Sequence, residues 1–281
     1  MSNHIVFIYQ YMIVYKYLSP ARSDVLTDSR IRFTQPAVLN DPFETLPAFT
    51  EYRNTLKSVM PELTQLQKES LNALGHSEED VRNNVLNNVL DNVAELFSPY
   101  FGILSLSRCR DNILMWSHYA DSHQGFVIGF DSENKFFTPS KGKAIDGLRN
   151  IKYSRKRPIL PPNGLNSDEM REWNEHIFFT KSEDWAYEQE MRILAFTLAA
   201  DHKISVKDGW DICLYSFDSQ AVKEIIVGSR ASIQTRKTLT RIWLTKYHEA
   251  EMFNSTISPT DFSVEIKPID REKARLSISE E

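Results

Sequence analysis

Apolar stretches of strand type recur along the chain and are separated by turn residues. They are short and rich in β-branched and aromatic residues, a composition that favours strands. We predict strands at residues 14–18, 30–34, 101–107, 125–131, 151–153, 185–196, 212–217, 222–227 and 262–269. Helical patterns fall between them irregularly instead of alternating with every strand. The order therefore predicts an α+β fold with a mixed or antiparallel central sheet, in a single domain of residues 1–281.

A second pattern, with apolar residues three and four positions apart, covers residues 81–97 and is typical of helices. It lies in the segment 50–98, which is rich in Asn, Glu, Leu and Val. We predict that this segment is a helical insertion, which packs as a lid or binds a partner or a second copy of the chain. Further helices are predicted at 19–27, 111–119, 168–181 and 235–247, and the charged tail 270–281 is predicted to be flexible.

Composition excludes several classes of protein. The 281 residues contain only 9 Gly, with no Walker or dinucleotide fingerprint, and a net charge of −5 provides no general basic field for nucleic acid. A local patch such as 152–157 would have to supply any such contact. Cys109 and Cys213 match no metal spacing, so we predict unpaired thiols in the reducing cytoplasm. The apolar start, 1–14, is too short to span a membrane, and either Met1 or Met12 can be the natural start.

The segment 115–123, Met-Trp-Ser-His-Tyr-Ala-Asp-Ser-His, is the densest in residue types that form functional sites. His118 and His123 lie five positions apart and do not share one helical face, so we predict no metal site. His118 and Tyr119 are candidates for binding a substrate ring or phosphate, and His118 also for catalysis. His123 either contributes to the site or holds the start of the next strand through backbone hydrogen bonds. Trp116 fits core packing.

Glu188, Glu190 and Arg192 alternate along the predicted strand 185–196, which would place all three on one face. Charged groups are costly to bury unless they are paired. One interpretation is a structural ion pair between Glu190 and Arg192 or another basic residue. In the other, one glutamate contacts a substrate hydroxyl or stabilises a cationic transition state, while the second orients it or acts as a base.

Other polar residues on strands and turns complete the candidate set. Arg32 either clamps a phosphate or pairs with Glu188 or Glu190. Ser105 and Ser107 share one strand face and either line a ligand cleft or have no functional role. The turn Asn40-Asp41-Pro42, followed by Glu44, is either a rigid corner or part of the substrate site.

These segments together resemble the bacterial family catalogued as domain of unknown function 2971, over residues 12–230. The resemblance rests on motifs in consistent order, namely Tyr15-Lys16-Tyr17, Ile31 to Pro36, Asn40 to Glu44, Leu104 to Ser107, Met115 to Ala120, His123, Gly125 to Asp131, and Trp185 with Tyr187 to Arg192. Members are often associated with mobile elements and phage-defence loci. The resemblance therefore implies a toxin-like effector in phage defence.

The chain is also similar to ADP-ribosyltransferases, through Arg32, Ser105-Leu106-Ser107 and Glu188-Gln189-Glu190 in that order. This similarity implies that NAD is the substrate, with a protein or nucleic acid as acceptor. Glu190 would hold the ribose hydroxyl and stabilise the cation, and Glu188 would activate the acceptor. The remaining candidates would bind the NAD: the phosphates at Arg32, the nicotinamide at Tyr119 or Trp185, with Tyr17, Ser105, Ser107 and Arg192 completing the set.

Two other functions stay open from the residues alone. A metal-dependent nuclease or phosphodiesterase could use carboxylates and histidine, at Asp41, Glu44, His118, Glu188 and Glu190. A sensing or binding module without chemistry would instead use the same polar motifs as a buried ion-pair lattice.

Overall fold

The computed structural model describes residues 12–48, 60–138, 147–159 and 176–279. The chain divides into two compact units. The first comprises Met1–Phe33, Ile103–Asn150 and Ala186–Glu281. The second comprises Thr34–Gly102 and Ile151–Trp185, and so contains the predicted insertion 50–98 together with a second segment.

Most of the first unit is built on one large sheet. The strands of the chain are β1 (Ile13–Leu18), β2 (Arg30–Phe33), β3 (Phe101–Ser107), β4 (Phe126–Asp131), β5 (Arg149–Asn150), β6 (Lys152–Ser154), β7 (Thr180–Ser182), β8 (Glu190–Phe196), β9 (His202–Ile204), β10 (Ile212–Ser216), β11 (Val222–Val227), β12 (Glu251–Ile257) and β13 (Val264–Pro268). The strand order of the large sheet is β13-β12-β11-β4-β1-β3-β8-β5, and a three-stranded sheet has the order β2-β10-β9. β1 pairs antiparallel with β3 and β4, whereas β11 and β12 are parallel. The predicted α+β class with a mixed, mostly antiparallel sheet is confirmed.

Both faces of the central strands are covered, as their nearly continuous apolar sequence requires. On one face Phe126, Ile128 and Phe130 join a core that includes Leu239 and Trp243. On the other face Val127 packs with Tyr17 and Trp116. The helices behind these contacts are α5 (Ile113–Tyr119) and α6 (Ile233–Lys246). Further helices are α1 (Asp24–Asp28), α2 (Gln65–Ala73), α3 (Glu78–Asp91), α4 (Val93–Phe97) and α7 (Arg271–Ser279). Alternation along β4 thus places α5 and α6 on opposite faces of the sheet.

The second unit contains α2, α3, α4 and the parallel pair of β6 and β7. The helical character predicted for 50–98 is observed at 65–73, 78–91 and 93–97, while residues 49–59 lie outside the described ranges. A Thr64 capping box begins α2, in which Gln67 N donates to the Thr64 hydroxyl and Thr64 N donates to Gln67.

Three predicted elements differ from the structure. Of the predicted helix 168–181, residues 168–175 lie outside the described ranges, residues 176–178 are helical, and Thr180 and Lys181 belong to β7. The tail predicted to be flexible forms α7, because Ala274 is buried and the Arg271 guanidinium lies 4.2 Å from the Trp243 ring centroid. The strand predicted at 185–196 begins only at Glu190, and the residues before it form a 3-10 turn, Glu183–Glu188. None of the helices in the described ranges combines the length and apolar character needed to cross a bilayer.

Candidate active site

Helix α5 is fixed at its start by Asn112. The Asn112 side chain accepts hydrogen bonds from Leu114 N at 2.9 Å and Met115 N at 3.1 Å, and its amide donates to the Tyr187 carbonyl at 3.1 Å. The cap therefore attaches α5 directly to the segment that precedes the two glutamates.

Trp116 anchors α5 in the core. Its side chain is fully buried, its indole N–H donates to the Arg110 carbonyl at 3.0 Å, and the ring meets Tyr17 edge-on at 5.4 Å. The core-packing interpretation of Trp116 is confirmed. Two residues further along, His118 is exposed and Tyr119 is half-buried.

His123 shapes the turn between α5 and β4. Asp121, Ser122 and His123 all have positive φ angles, of 49°, 52° and 69°. His123 N donates to the Trp116 carbonyl, and the His123 carbonyl accepts from Arg230 N. A Cβ atom on Gly228 would lie only 2.2 Å from that carbonyl, so the close approach requires glycine. These contacts support the predicted structural role of His123 at the start of β4.

The His123 ring is partly withdrawn from water. It stacks on Trp116 at 6.0 Å with an interplanar angle of 12°. Burial, together with the positive charge of Arg230, lowers the pKa of His123. The folded chain is therefore more stable with a neutral His123 ring than with a protonated one.

Strands β1 and β3 are neighbours in the sheet and carry the motifs Tyr15-Lys16-Tyr17 and Ser105-Leu106-Ser107. Tyr15 lies opposite Ser107 in the register, and Lys16 Nζ donates to the Ser105 carbonyl at 2.9 Å. The Tyr17 hydroxyl donates to the Cys109 carbonyl at 2.8 Å, and burial raises the pKa of Tyr17. A role of Tyr17 or Ser105 in cofactor binding stays a prediction.

Ser107 connects the Ser-x-Ser strand to the Glu-x-Glu motif. Its hydroxyl donates to the Glu188 carbonyl at 2.6 Å and accepts from Cys109 N at 3.0 Å. Arg108 N also donates to the Gln189 carbonyl, at 3.2 Å. Two motifs that are far apart in sequence thus meet where β3 ends and β8 begins.

Glu188 does not share a strand face with Glu190, contrary to the prediction. It is the last residue of the 3-10 turn, and Gln189 between the glutamates has a positive φ of 44°. Gln189 N closes the turn on the Ala186 carbonyl. The left-handed residue breaks the period-two alternation, because that alternation holds only while the backbone stays extended.

The Glu188 side chain is buried and held by a tyrosine. It is 3% exposed, and the Tyr119 hydroxyl donates to its Oε1 at 2.5 Å. The His118 ring lies 6.3 Å from that of Tyr119 and 6.4 Å from that of Tyr187. The site therefore joins one buried carboxylate to a group of aromatic rings from α5 and the 3-10 turn.

Glu190 and Arg192 form a buried ion pair on β8. Arg192 Nε lies 2.5 Å from Glu190 Oε1 and Nη2 lies 3.1 Å from Oε2, while the two residues are 4% and 1% exposed. The fork-like arrangement compensates the loss of water around both charges. The structural ion-pair interpretation of Glu190 and Arg192 is supported by this geometry.

Arg32 lies away from both glutamates in the topology, on β2 of the three-stranded sheet and opposite Leu214. Among the described residues it has no ion-pair partner, and its Nε is buried without a hydrogen bond. Burial, followed by the charge of Arg22, lowers the pKa of Arg32. The predicted phosphate contact stays a prediction.

The remaining candidates lie in the second unit. Glu44 forms a buried ion pair with Lys181 at 3.1 Å, and Lys181 Nζ lies 5.0 Å from the Trp185 ring centroid. Asp41 is buried and accepts from Phe43 N at 2.8 Å, whereas Asn40 is exposed. The rigid-corner interpretation of this turn is thus supported for Asp41 and Glu44. Within the described ranges, no three His, Cys, Asp or Glu side chains cluster as metal ligands would.

Sequence reasoning missed Tyr187 and the pair of Arg110 with Glu224. Arg110 Nη1 contacts both Glu224 oxygens at 2.9 Å and its guanidinium lies 5.3 Å from the Phe253 ring centroid. The sequence signal for Tyr187 was its place in the family motif Tyr187 to Arg192, directly before Glu188. Arg110 had none, because its partner lies on a distant strand.

Comparison with known proteins gives a family without an assigned activity. Residues 115–193 match the family described as protein of unknown function (DUF2971). The matched segment runs from α5 through β4 to the start of β8 and includes Tyr119, Glu188 and Glu190. No curated protein and no solved structure matches this chain. The resemblance to this family that was drawn from the sequence is confirmed over residues 115–193.

Proposed function

We propose that residues 115–193, the segment that matches the DUF2971 family, form the catalytic part of an NAD-consuming enzyme, as the similarity to ADP-ribosyltransferases implies. The enzyme would break the bond between nicotinamide and ribose, and pass the ADP-ribose to water or to a protein or nucleic-acid acceptor. The observation that carries the proposal is the hydrogen bond from the Tyr119 hydroxyl to the buried Glu188 carboxylate. That carboxylate lies in a turn attached to the Ser-x-Ser strand.

The reaction requires a group that stabilises positive charge. As the C–N bond breaks, nicotinamide leaves with the bonding electrons and the ribose becomes oxocarbenium-like, as in glycoside hydrolysis. A buried carboxylate stabilises such a cation more strongly than one in water, because little solvent screens it. Attack by water or an acceptor hydroxyl then forms the new bond and releases a proton.

Glu188 is better placed for this role than Glu190. The Glu190 carboxylate is bound by Arg192 through both oxygens, so its charge is already compensated. Glu188 accepts from the Tyr119 hydroxyl, which attaches its carboxylate to the group of aromatic rings from α5 and the 3-10 turn. We therefore assign cation stabilisation to Glu188 and a structural role to Glu190, whereas the similarity to ADP-ribosyltransferases implies that Glu190 stabilises the cation and Glu188 activates the acceptor.

The aromatic side chains next to Glu188 suit a planar, cationic ring. Tyr119, Tyr187 and the exposed His118 form one group of neighbouring rings. A nicotinamide ring that stacks on these side chains would lie near the Glu188 carboxylate, because Tyr119 belongs to the ring group and is hydrogen-bonded to Glu188. In a cell, depletion of NAD or modification of an acceptor would be toxic, in keeping with the predicted role in phage defence.

The test measures nicotinamide release from NAD by the purified chain, with and without cell lysate as acceptor. We expect Glu188→Gln to lower the rate by a factor of about 100 or more, the size seen when one charge-stabilising group is lost. Tyr119→Phe removes the hydroxyl that orients Glu188 and should lower the rate about tenfold. Glu249→Gln, at an exposed glutamate between α6 and β12, is the matched control and should leave the rate unchanged.

Two results would reject this function. One is a Glu188→Gln variant that remains folded by circular dichroism and releases nicotinamide at the wild-type rate. The other is the absence of release by the wild type under every acceptor condition.

A further inference from the structure

The second compact unit contains a cleft of about 460 Å³ that the proposed reaction does not use. It is bordered by the Asp41–Glu44 turn, the basic segment 154–158 and the residues of β7 with Trp185. Its floor is fixed by the buried ion pair between Glu44 and Lys181. Because these two charges compensate each other, neither determines what enters the cleft.

Asp41 provides a buried acceptor in the wall of the cleft. The residue is 5% exposed, and its Oδ1 accepts from Phe43 N at 2.8 Å. Its Oδ2 is buried and has no hydrogen-bond partner among the described residues. A buried carboxylate oxygen without a donor is costly, so the site favours a ligand that brings an N–H group.

Two aromatic rings with cations on their faces also line the cleft. Phe43 is 59% exposed although Glu44 directly after it is buried, and the Arg157 guanidinium lies 5.0 Å from the Phe43 ring centroid. Lys181 Nζ likewise lies 5.0 Å from the ring centroid of Trp185, which is half-buried. Exposed rings accompanied by Arg or Lys are typical of surfaces on which nucleobases stack.

Exposed cations complete the rim. Lys156 is exposed, and Arg155 pairs at 2.5 Å with Glu183, where both side chains are more than half exposed. Exposed pairs of this kind are weak, so a phosphate can replace the glutamate at little cost. The rim thus offers the charges that a phosphodiester or a phosphate monoester requires.

We propose that this cleft binds an unpaired nucleotide whose base carries an exocyclic amino group. The amino group donates to Asp41 Oδ2, the ring stacks on Phe43, and the phosphate contacts Lys156 and Arg155. Cytosine fulfils this requirement and uracil, with an oxygen in place of the amino group, does not. Nucleotide binding at this cleft is independent of the NAD reaction and is measured directly.

The first experiment measures binding of fluorescent single-stranded oligocytidylate and oligouridylate to the full chain by anisotropy. Wild type should bind oligocytidylate about tenfold more tightly, since one well-placed base contact discriminates by that much or more. Asp41→Asn keeps an oxygen for Phe43 N and places an amide donor at the other position. This variant should lose the preference for cytosine or reverse it.

A second variant covers the case in which Asp41→Asn does not fold. Lys156→Gln, at an exposed position, should weaken both oligonucleotides equally and reduce the salt dependence of binding. Lys203→Gln, an exposed lysine of the first unit, is its control and should change neither.

Competition by CMP and UMP distinguishes the two sources of the ligand. If CMP competes as well as the oligonucleotide, the ligand is a free nucleotide, and if only the strand competes, it is a single-stranded nucleic acid. The proposal is overturned if wild type binds none of these probes or shows no preference for cytosine. It is equally overturned if folded Asp41→Asn keeps the wild-type preference.

Discussion

Each compact unit contains a buried ion pair, but the two pairs are built in different ways. Glu190 and Arg192 are two residues apart on one strand of the large sheet. Glu44 and Lys181 come from an irregular turn and from β7, which are far apart in sequence. In both pairs the side chains are almost completely removed from water.

The difference lies in what each pair holds together. The Glu190–Arg192 pair forms as soon as β8 is extended, because alternate residues of a strand share a face. The Glu44–Lys181 pair forms only when the chain has brought two distant segments together. It therefore fastens the Asp41–Glu44 turn to β7, whereas the pair on β8 allows charged residues to lie inside a sheet without unpaired charge.

The largest effect is expected from Arg192→Leu. This change leaves the Glu190 carboxylate buried without its cation, and should lower the free energy of unfolding by about 3–5 kcal/mol. Urea denaturation followed by circular dichroism measures the change. Glu190→Leu combined with Arg192→Leu should recover most of the loss, because both charges are then gone. A single variant that loses less than about 1 kcal/mol would contradict a buried, tightly coupled pair.

A somewhat smaller loss, about 3 kcal/mol, is expected from Lys181→Met. The turn that carries Glu44 is irregular and can relax toward water, which a strand inside a sheet cannot do. Hydrogen exchange should show the loss of protection at β6, β7 and the 41–44 turn, with β4 and β11 unaffected. A double variant with Glu44→Gln would show a coupling energy between the two sites. Uniform loss of protection throughout the chain would contradict the expectation that the Glu44–Lys181 pair holds only the 41–44 turn against β7.

The smallest effect concerns His123 and depends on pH. Its pKa is lowered in the folded state, so the unfolded chain binds more protons below the ordinary histidine value of 6.5. The stability that neutral His123 contributes is thus fully present above pH 6.5 and is lost as the pH falls below it. Asn tolerates the positive φ of this position, so His123→Asn should remove part of the acid sensitivity while keeping the turn.

Urea midpoints of wild type and His123→Asn, measured on both sides of pH 6.5, test this expectation. The gap in stability between them should narrow on the acid side. Two parallel curves would show that His123 does not contribute to the pH dependence.

Several features were predictable because their cause is local. The alternating pattern gave the α+β class and most strands of the large sheet, and it predicted that Glu190 and Arg192 share a face. β12 escaped prediction because Asn254, Ser255 and Thr256 make it look like a surface segment. Its polar side chains are accommodated by distant partners, since Asn254 accepts from Arg236 at 2.8 Å and Ser255 donates to the Val227 carbonyl at 3.0 Å. No local window of sequence contains those partners.

The candidate site shows the same limit. The sequence identified Tyr119, Ser107 and Glu188 separately, as members of three motifs. The sequence also predicted that Glu188 lies on a strand, because a Gln residue gives no indication of the left-handed backbone that Gln189 adopts. Only the folded chain brings the Ser107 hydroxyl to the Glu188 carbonyl and the Tyr119 hydroxyl to the Glu188 carboxylate.

The amino-acid sequence by itself determined the elements whose cause is periodicity or turn chemistry: the strands of the core, the capped helices and the Asn40–Pro42 corner. The tertiary structure alone decided which buried charges are paired and which acceptor is left for a ligand. Glu44 pairs with Lys181, which lies far away in sequence, and one oxygen of Asp41 has no donor within the described ranges. The physical reason is that burying a charge is favourable or costly according to its neighbours in space. Those neighbours are set by strand order and register across the whole chain.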